Sequence, residues 1–558
     1  MTDAASGPVF SLREIPFSYR GSWFGFSPVV AEKTYARDVH LVSHQSGMHP
    51  ILRLIPSAEA AITATPHQLT WSHNGGRIDL VYQGPDTVRL RGHGLGLRLV
   101  AADPVLTPFS GPYFYQDPVN GSYVFTVYQT GRRYRITLIT GRAEHVGGQA
   151  LGTAERGVAL PADERWEIAV EEYETARAPY TSTDGFEQLA KTARAEFDAF
   201  TAAIAPWRSD RTPAAELACY VLWSATVRPA GFITRPAVLM SKHWMDKVWS
   251  WDHCFNAIAL GQGLPGLAWD QFRLPFDHQD DAGALPDSVT HSEILYNFVK
   301  PPIHGWALRQ LPPPSDPAEI YRSLERWTTF WLDARRTPGH ELPHYQHGND
   351  SGWDNATTFD PERVVETADL ASFLVLQLRE LARLAPDPND SARWTERADR
   401  IRDALLAELW DGERFLTRSA HSQRTWSSSS LLDLMPIVLG QELPAPVRAA
   451  LAARIEQHLT AFGPATELPA SEHYQDDGYW RGPIWAPSTI LIEDGLRRAG
   501  HTALADEVSA RFRTLCEKSG FAENFDARTG EGLRDRAYTW TASAYLILAA
   551  AHERRSST

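Results

Sequence analysis

Cysteine is scarce: 558 residues carry three, Cys219, Cys254 and Cys516. So few, so far apart, give neither a disulfide framework nor a metal-spaced cluster, and reduced buried thiols are expected. Long apolar runs are missing too. No stretch of 18 or more apolar residues occurs, which excludes a transmembrane helix. Met1 to Arg13 lacks a basic start followed by an apolar run, so it does not read as a signal peptide, and a cytoplasmic location is expected. Positive charge is outweighed, 54 Lys and Arg against 68 Asp and Glu, for a net −14. Such a chain lacks the basic surface that nucleic acid or an anionic membrane needs in a partner. There is no G-x-S-x-G elbow, no H-E-x-x-H helix and no Walker loop. Gly92-x-Gly94-x-Gly96 is followed by no helical pattern and reads as a turn or bulge, not a nucleotide fingerprint. His243, His253 and His278 lack ligand spacing, so neither metal nor cofactor is expected.

What the chain has in excess is tryptophan, 19 residues. Many stand beside Asp, Glu, Arg or Gly in polar stretches, which favours a carbohydrate cleft over core packing alone. The length suits two to four domains. Residues 1–178 read as β: Val88 to Arg91 and Leu95, Leu97, Leu99 alternate with period two, and turn signals such as Asn74-Gly75-Gly76 recur. An N-terminal β-sandwich is expected there. Residues 179–213 read as a linker with a helix, and 214–558 as helical throughout. Ile320, Leu324, Trp327 and Trp331 keep helical spacing after the cap Asp316-Pro317-Ala318-Glu319. About twelve helices alternating with polar, aromatic loops fit an all-α (α/α)6 barrel whose alternate loops share one face.

Three constellations sit in those loops. In Ser351-Gly352-Trp353-Asp354-Asn355 a carboxyl group stands beside an indole. An apolar neighbour holds a carboxyl protonated, and the protonated form can give its proton to a glycosidic oxygen, so Asp354 is the candidate general acid. Trp249-Ser250-Trp251-Asp252 opens a helix, where Asp252 suits either a cap or a sugar-hydroxyl acceptor beside two indoles. Tyr479-Trp480-Arg481-Gly482-Pro483-Ile484-Trp485 sets an arginine among aromatics. Glycoside hydrolysis needs a second carboxyl group. Glu523, in the last long polar loop, is preferred for it over Asp526, Asp476 and Asp477. Candidate substrate contacts are Trp249, Trp251, Asp252, Gln279, Trp353, Asn355, Tyr479, Trp480, Arg481 and Trp485.

These motifs, with Glu523-Asn524-Phe525-x-x-x-Thr529-Gly530 last, occur in an order that resembles glycoside hydrolase family 63 and its mannosylglycerate-hydrolase-like relatives over about residues 215–555. The resemblance implies an (α/α)6 barrel behind a β-sandwich and an inverting, exo-acting α-glycosidase, most readily an α-glucosidase. It implies that Asp354 is the acid, that Glu523 is the base activating water, and that Trp251 and Asp252 hold the sugar. Two features depart from it. Lys300-Pro301-Pro302 stands where a glutamine is expected before the prolines in the glycerate-hydrolysing relatives, and the trehalase hallmark runs are absent. Two rivals share the scaffold. An inverting phosphorylase needs no catalytic glutamate, and a non-catalytic carbohydrate-binding protein needs neither carboxylate; retention of Asp354 and Glu523 weighs against both.

Overall fold

The computed structural model describes residues 7–148 and 150–556. The chain packs as two compact units. One gathers residues up to 206 with 219–247 and 290–292; the other takes 207–218, 248–289 and 293 onward.

The first unit is built on two antiparallel sheets. The seven-stranded sheet runs Phe17–Ser18, Phe24–Ala31, Thr34–Ser43, His49–Pro56, Leu97–Ala101, Gly157–Leu160, Glu144–Val146. The eight-stranded sheet runs Pro112–Gln116, Tyr123–Val127, Arg132–Thr140, Trp166–Tyr173, Thr87–His93, Gly76–Gly84, Gln68–His73, Ala61–Thr65. Period-two alternation turns Leu97 and Leu99 inward while Arg98 faces out. Tyr82 of the larger sheet meets Phe24 of the smaller at 5.6 Å between ring centroids and donates its hydroxyl to the Phe24 carbonyl. The helix Phe186–Ile204, read from sequence as part of a linker, packs Phe186, Leu189 and Ala190 against Val81 of the larger sheet.

The second unit is helical. Asp252–Leu260, His304–Leu308, Ala368–Leu384, Leu431–Glu442, Ala486–Arg498 and Thr539–Ser556 touch one another in that order, and the last touches the first, closing a ring. A ring helix is covered on nearly all sides, and Ala368–Leu384 shows it: almost every residue from Ala368 to Leu378 is buried. Outside the ring, Pro265–Asp277, Pro388–Ala404, Ala445–His458 and Thr502–Ser519 each pack on a ring helix. Pro317–Asp333 packs on Ala368–Leu384 with the predicted stripe inward and the Asp316 carboxylate accepting from the Glu319 N–H at 2.9 Å. Each motif loop is the segment that leads into a ring helix, so the topology delivers the motifs to helix N-termini. Among the described residues no helix is long and apolar enough to cross a membrane.

Candidate active site

Four loops are joined, three of them by hydrogen bonds and the fourth by close packing. Asn355 donates its amide to the Gly478 carbonyl (3.0 Å) and accepts from the Trp480 N–H (3.0 Å). Arg481 donates from Nε to the Asn355 carbonyl (2.7 Å) and from Nη2 to Asp360. Ile484 and Phe525 exchange two backbone hydrogen bonds, which ties the Glu523 loop to the aromatic loop. The fourth tie is steric: a Cβ at Gly352 would lie 2.6 Å from the Trp251 ring, and Gly352 has φ +75°. The motif therefore needs glycine there for both space and backbone.

The indoles stack on each other. Trp353 lies 4.6 Å from Trp480, and Trp480 lies 4.0 Å from Trp485 with the rings 6° from parallel. Trp540 meets both Trp485 and Trp251 edge-on. Trp251, Trp353, Trp480 and Trp485 are all at most 2% exposed. The sequence offered these rings as candidate sugar contacts; in the structure Trp353, Trp480 and Trp485 share faces with one another, and Trp251 meets Trp480 tilted and Phe255 and Trp540 edge-on. Trp249, in the short strand Val248–Trp249, keeps partial exposure. Arg481 was expected flat among aromatics. Its guanidinium instead holds Asn355 and Asp360, and it is Arg534 that lies 4.9 Å over the Tyr479 ring. Gln279 gives its amide to the Gly283 and Ser323 carbonyls, bracing its own loop.

The carboxyl groups gather around one ammonium. Lys300 Nζ lies 3.1 Å from Asp287 Oδ1 and 4.0 Å from Asp354 Oδ1, and donates to the Asn349 carbonyl at 3.0 Å. Asp252 is the first residue of its helix; Trp251 is the N-cap, without a side-chain cap bond, so the capping alternative does not describe it. Asp252 is 4% exposed, and its Oδ2 has no hydrogen-bond partner among the described residues. Burial pushes its carboxyl up to about 8, against the pull of Lys300 and its own N–H, with Asp287 and Asp354 adding to the rise. Asp354 is raised as well, by burial first and then by Asp287, while Lys300, His347 and a hydrogen bond from Tyr479 pull it back. Its side chain keeps 29% of its surface open. Lys300 is raised although burial works the other way, because Asp354, Asp287 and Asp252 outweigh it.

Glu523 is 2% exposed, and its backbone is fixed by its N–H to the Asp535 carbonyl at 2.7 Å. Two phenols connect it to the other carboxyl groups. Burial lifts the Tyr479 phenol well above the usual range, with the charges of Asp354, Glu523 and Asp252 adding to it. The Tyr538 phenol is lifted in the same way by burial, Glu523 and Asp252. All three expected carboxylates thus act on Tyr479. That residue holds φ +64°, rare outside glycine, where strain often marks a functional position. Sequence reasoning missed Asp287 and Tyr538. Asp287 closes the polar loop that follows Gln279, and Tyr538 immediately precedes the last ring helix, but no local spacing marks either as a partner of Asp354 or Glu523. Among the described residues no group of three or more His, Cys, Asp and Glu has metal-holding geometry.

Residues 245–541 match the family described as the mannosylglycerate hydrolase MGH1-like glycoside hydrolase domain. A mannosylglycerate hydrolase of Rubrobacter radiotolerans is 24% identical over 419 residues, 57% of this chain and 92% of the relative. The solved GH63 mannosylglycerate hydrolase of Thermus thermophilus, in complex with Tris and D-glycerate, is 20% identical; the match covers 60% of this chain and 98% of that one at a TM-score of 0.51. A bacterial glucoamylase complexed with acarbose, 12% identical, matches 98% of this chain and 96% of its own at a TM-score of 0.61, so the likeness in fold spans both the β-rich and the helical parts.

Proposed function

We propose, from the premise that this chain belongs to the mannosylglycerate hydrolase MGH1-like glycoside hydrolase family and is a glycoside hydrolase, that it removes a terminal α-linked sugar by a single inverting displacement. Asp354 protonates the leaving oxygen on one face of the ring. Glu523 takes a proton from the water that attacks the other face. The observation that carries this reading is the environment of Asp354: a buried carboxyl raised towards the protonated form, open on one side, with Glu523 and Asp252 acting on the same phenol, Tyr479. A general acid needs that protonation state, and a second carboxylate has to share the site. Asp252 accepts bonds from sugar hydroxyls beside the partly exposed Trp249. We read the closed ring of six helices with its outer layer as an (α/α)6 barrel, and the two N-terminal sheets as a β-sandwich. Glucose is the sugar we favour. Glucosylglycerate and mannosylglycerate come first among substrates to try, because the relatives' names include the latter and the relative's structure holds D-glycerate.

The test is proton NMR of the product released from a panel of α-glucosides, α-mannosides and both glycosylglycerates, with Asp354→Asn as control. Initial release of the β-anomer, lost in the control, is the expected result. Initial release of the α-anomer would overturn the inverting assignment. Turnover that requires inorganic phosphate would move the chemistry to phosphorolysis.

A further inference from the structure

Lys300 is placed with more care than a surface lysine needs. Its side chain is 9% exposed. Pro301 and Pro302 stiffen the chain after it. Just before it, the Val299 N–H donates to Asp350 Oδ1 at 3.1 Å, and the other Asp350 oxygen takes Arg335 (2.7 Å) and the Gln346 N–H (2.9 Å). Asp350 lies in the same loop as Asp354, so the backbone that carries Lys300 is tied to the backbone that carries the acid. Asp287 is fixed in turn: its carbonyl accepts from Ser250 and its N–H donates to Leu295.

The ammonium has three protons. One goes to the Asn349 carbonyl at 3.0 Å, and Asp287 Oδ1 pairs with the charge at 3.1 Å. At 4.0 Å from Asp354 Oδ1 it is too far for a hydrogen bond and near enough for a strong charge contact in a site this buried. Oδ1 is the oxygen that the ammonium approaches, so a proton there would face a cation.

We propose that Lys300, clamped by Asp287 and the Asn349 carbonyl, is a positioning residue for the acid: it keeps the transferable proton on Oδ2 of Asp354 and sets the pH at which Asp354 empties. This rests on the reading of Asp354 as general acid. The other groups facing Asp354 are Asp287, His347 and Tyr479, with Asp252 close by and Glu523 beyond Tyr479. Lys300 is the ammonium among them, and its removal leaves carboxylates to hold the Asp354 proton more tightly.

The test compares Lys300→Gln, Lys300→Arg and the charge-balanced pair Lys300→Gln/Asp287→Asn. On a hydrolysed glycoside, Lys300→Gln moves the alkaline limb of kcat/KM to higher pH by about one unit or more. Lys300→Arg leaves it within a few tenths, and the double variant falls between, because it removes one charge of each sign. An unmoved limb in Lys300→Gln overturns the proposal. A second arm needs no substrate: melting temperatures of the wild type, Lys300→Gln, Asp354→Asn and their combination at pH 5 and pH 9. Direct charge contact predicts non-additivity that grows as Asp354 ionises with rising pH, so that it is larger at pH 9 than at pH 5. Equal non-additivity at both values overturns the proposal. Coupling of the expected form, with no hydrolysis of any glycoside, would leave Lys300 paired with Asp354 and refute the hydrolytic assignment alone.

Discussion

Gly352 lies beneath the indole of Trp251 with room for hydrogen only, since a Cβ there would stand 2.6 Å from the ring. Two sequence motifs about a hundred residues apart are joined by that contact.

Gly352→Ala is therefore expected to damage both stability and turnover. The left-handed backbone costs an alanine about 1 kcal/mol and the clash more, for a loss of about 2–4 kcal/mol. Melting temperature and turnover measured together check this. A variant that melts like the wild type and turns over normally would show that the contact is slack.

Asp252 should leave a mark on stability against pH. An unfolded aspartate titrates near 4 (about 3.9), whereas burial pushes this one up to about 8. Between those values the folded chain holds a proton that the unfolded chain has lost, so this group lowers stability as pH rises through the window. Asp252→Asn removes the effect. Thermal melts from pH 4.5 to 8.5 should show the wild type falling relative to the variant; parallel curves would refute the shift.

Asn355 is expected to act through the loops it joins. Asn355→Ala deprives the Gly478 carbonyl and the Trp480 N–H of their partners, a loss of about 1–3 kcal/mol. Asp354 then sits on a looser loop, and kcat should fall at least tenfold. Asp360→Asn, which weakens the rim pair with Arg481 at a carboxylate 37% exposed, should change stability by less than about 1 kcal/mol. Equal effects from the two variants would count against the joining role.

In the β-rich unit, Lys242 is buried, donating to Ser18 Oγ at 3.0 Å and to the Ser22 carbonyl at 2.7 Å. Burial drives its ammonium well below 10.5, against a small pull from Glu172. Unfolded chains then bind the extra proton between the lowered value and 10.5, so stability from this group rises with pH across that window. Lys242→Met should flatten the rise, as read by chemical denaturation at pH 6, 8 and 10.

Much of this architecture was legible from local pattern. The helix expected after the cap at Asp316 is Pro317–Asp333, because its cap, its proline and its apolar stripe all lie within one segment. The segments carrying Asp354 and Glu523 stood out by local pattern too, and the structure brings the charges of both to bear on Tyr479. Partnership across loops was not. Lys300 read as an anomaly beside two prolines, and its meaning depends on Asp287 and Asp354, which no spacing connects to it. Arg481 and Arg534 show the same limit: adjacency to aromatics suggested the first as the stacked guanidinium, and tertiary packing chose the second. Tryptophan beside a carboxylate signals a site, but it does not tell which neighbour covers the ring.

Trp480 and Trp485 lie face to face at 4.0 Å, so they absorb light as a pair rather than as two chromophores. Their combined signal in near-ultraviolet circular dichroism depends on the spacing within one segment, which is bonded to the Asp354 motif through Asn355 and to the Glu523 segment through Phe525. The molecule thus carries an optical gauge in its own packing, and a displacement of either neighbouring segment that alters the stack would register without a label.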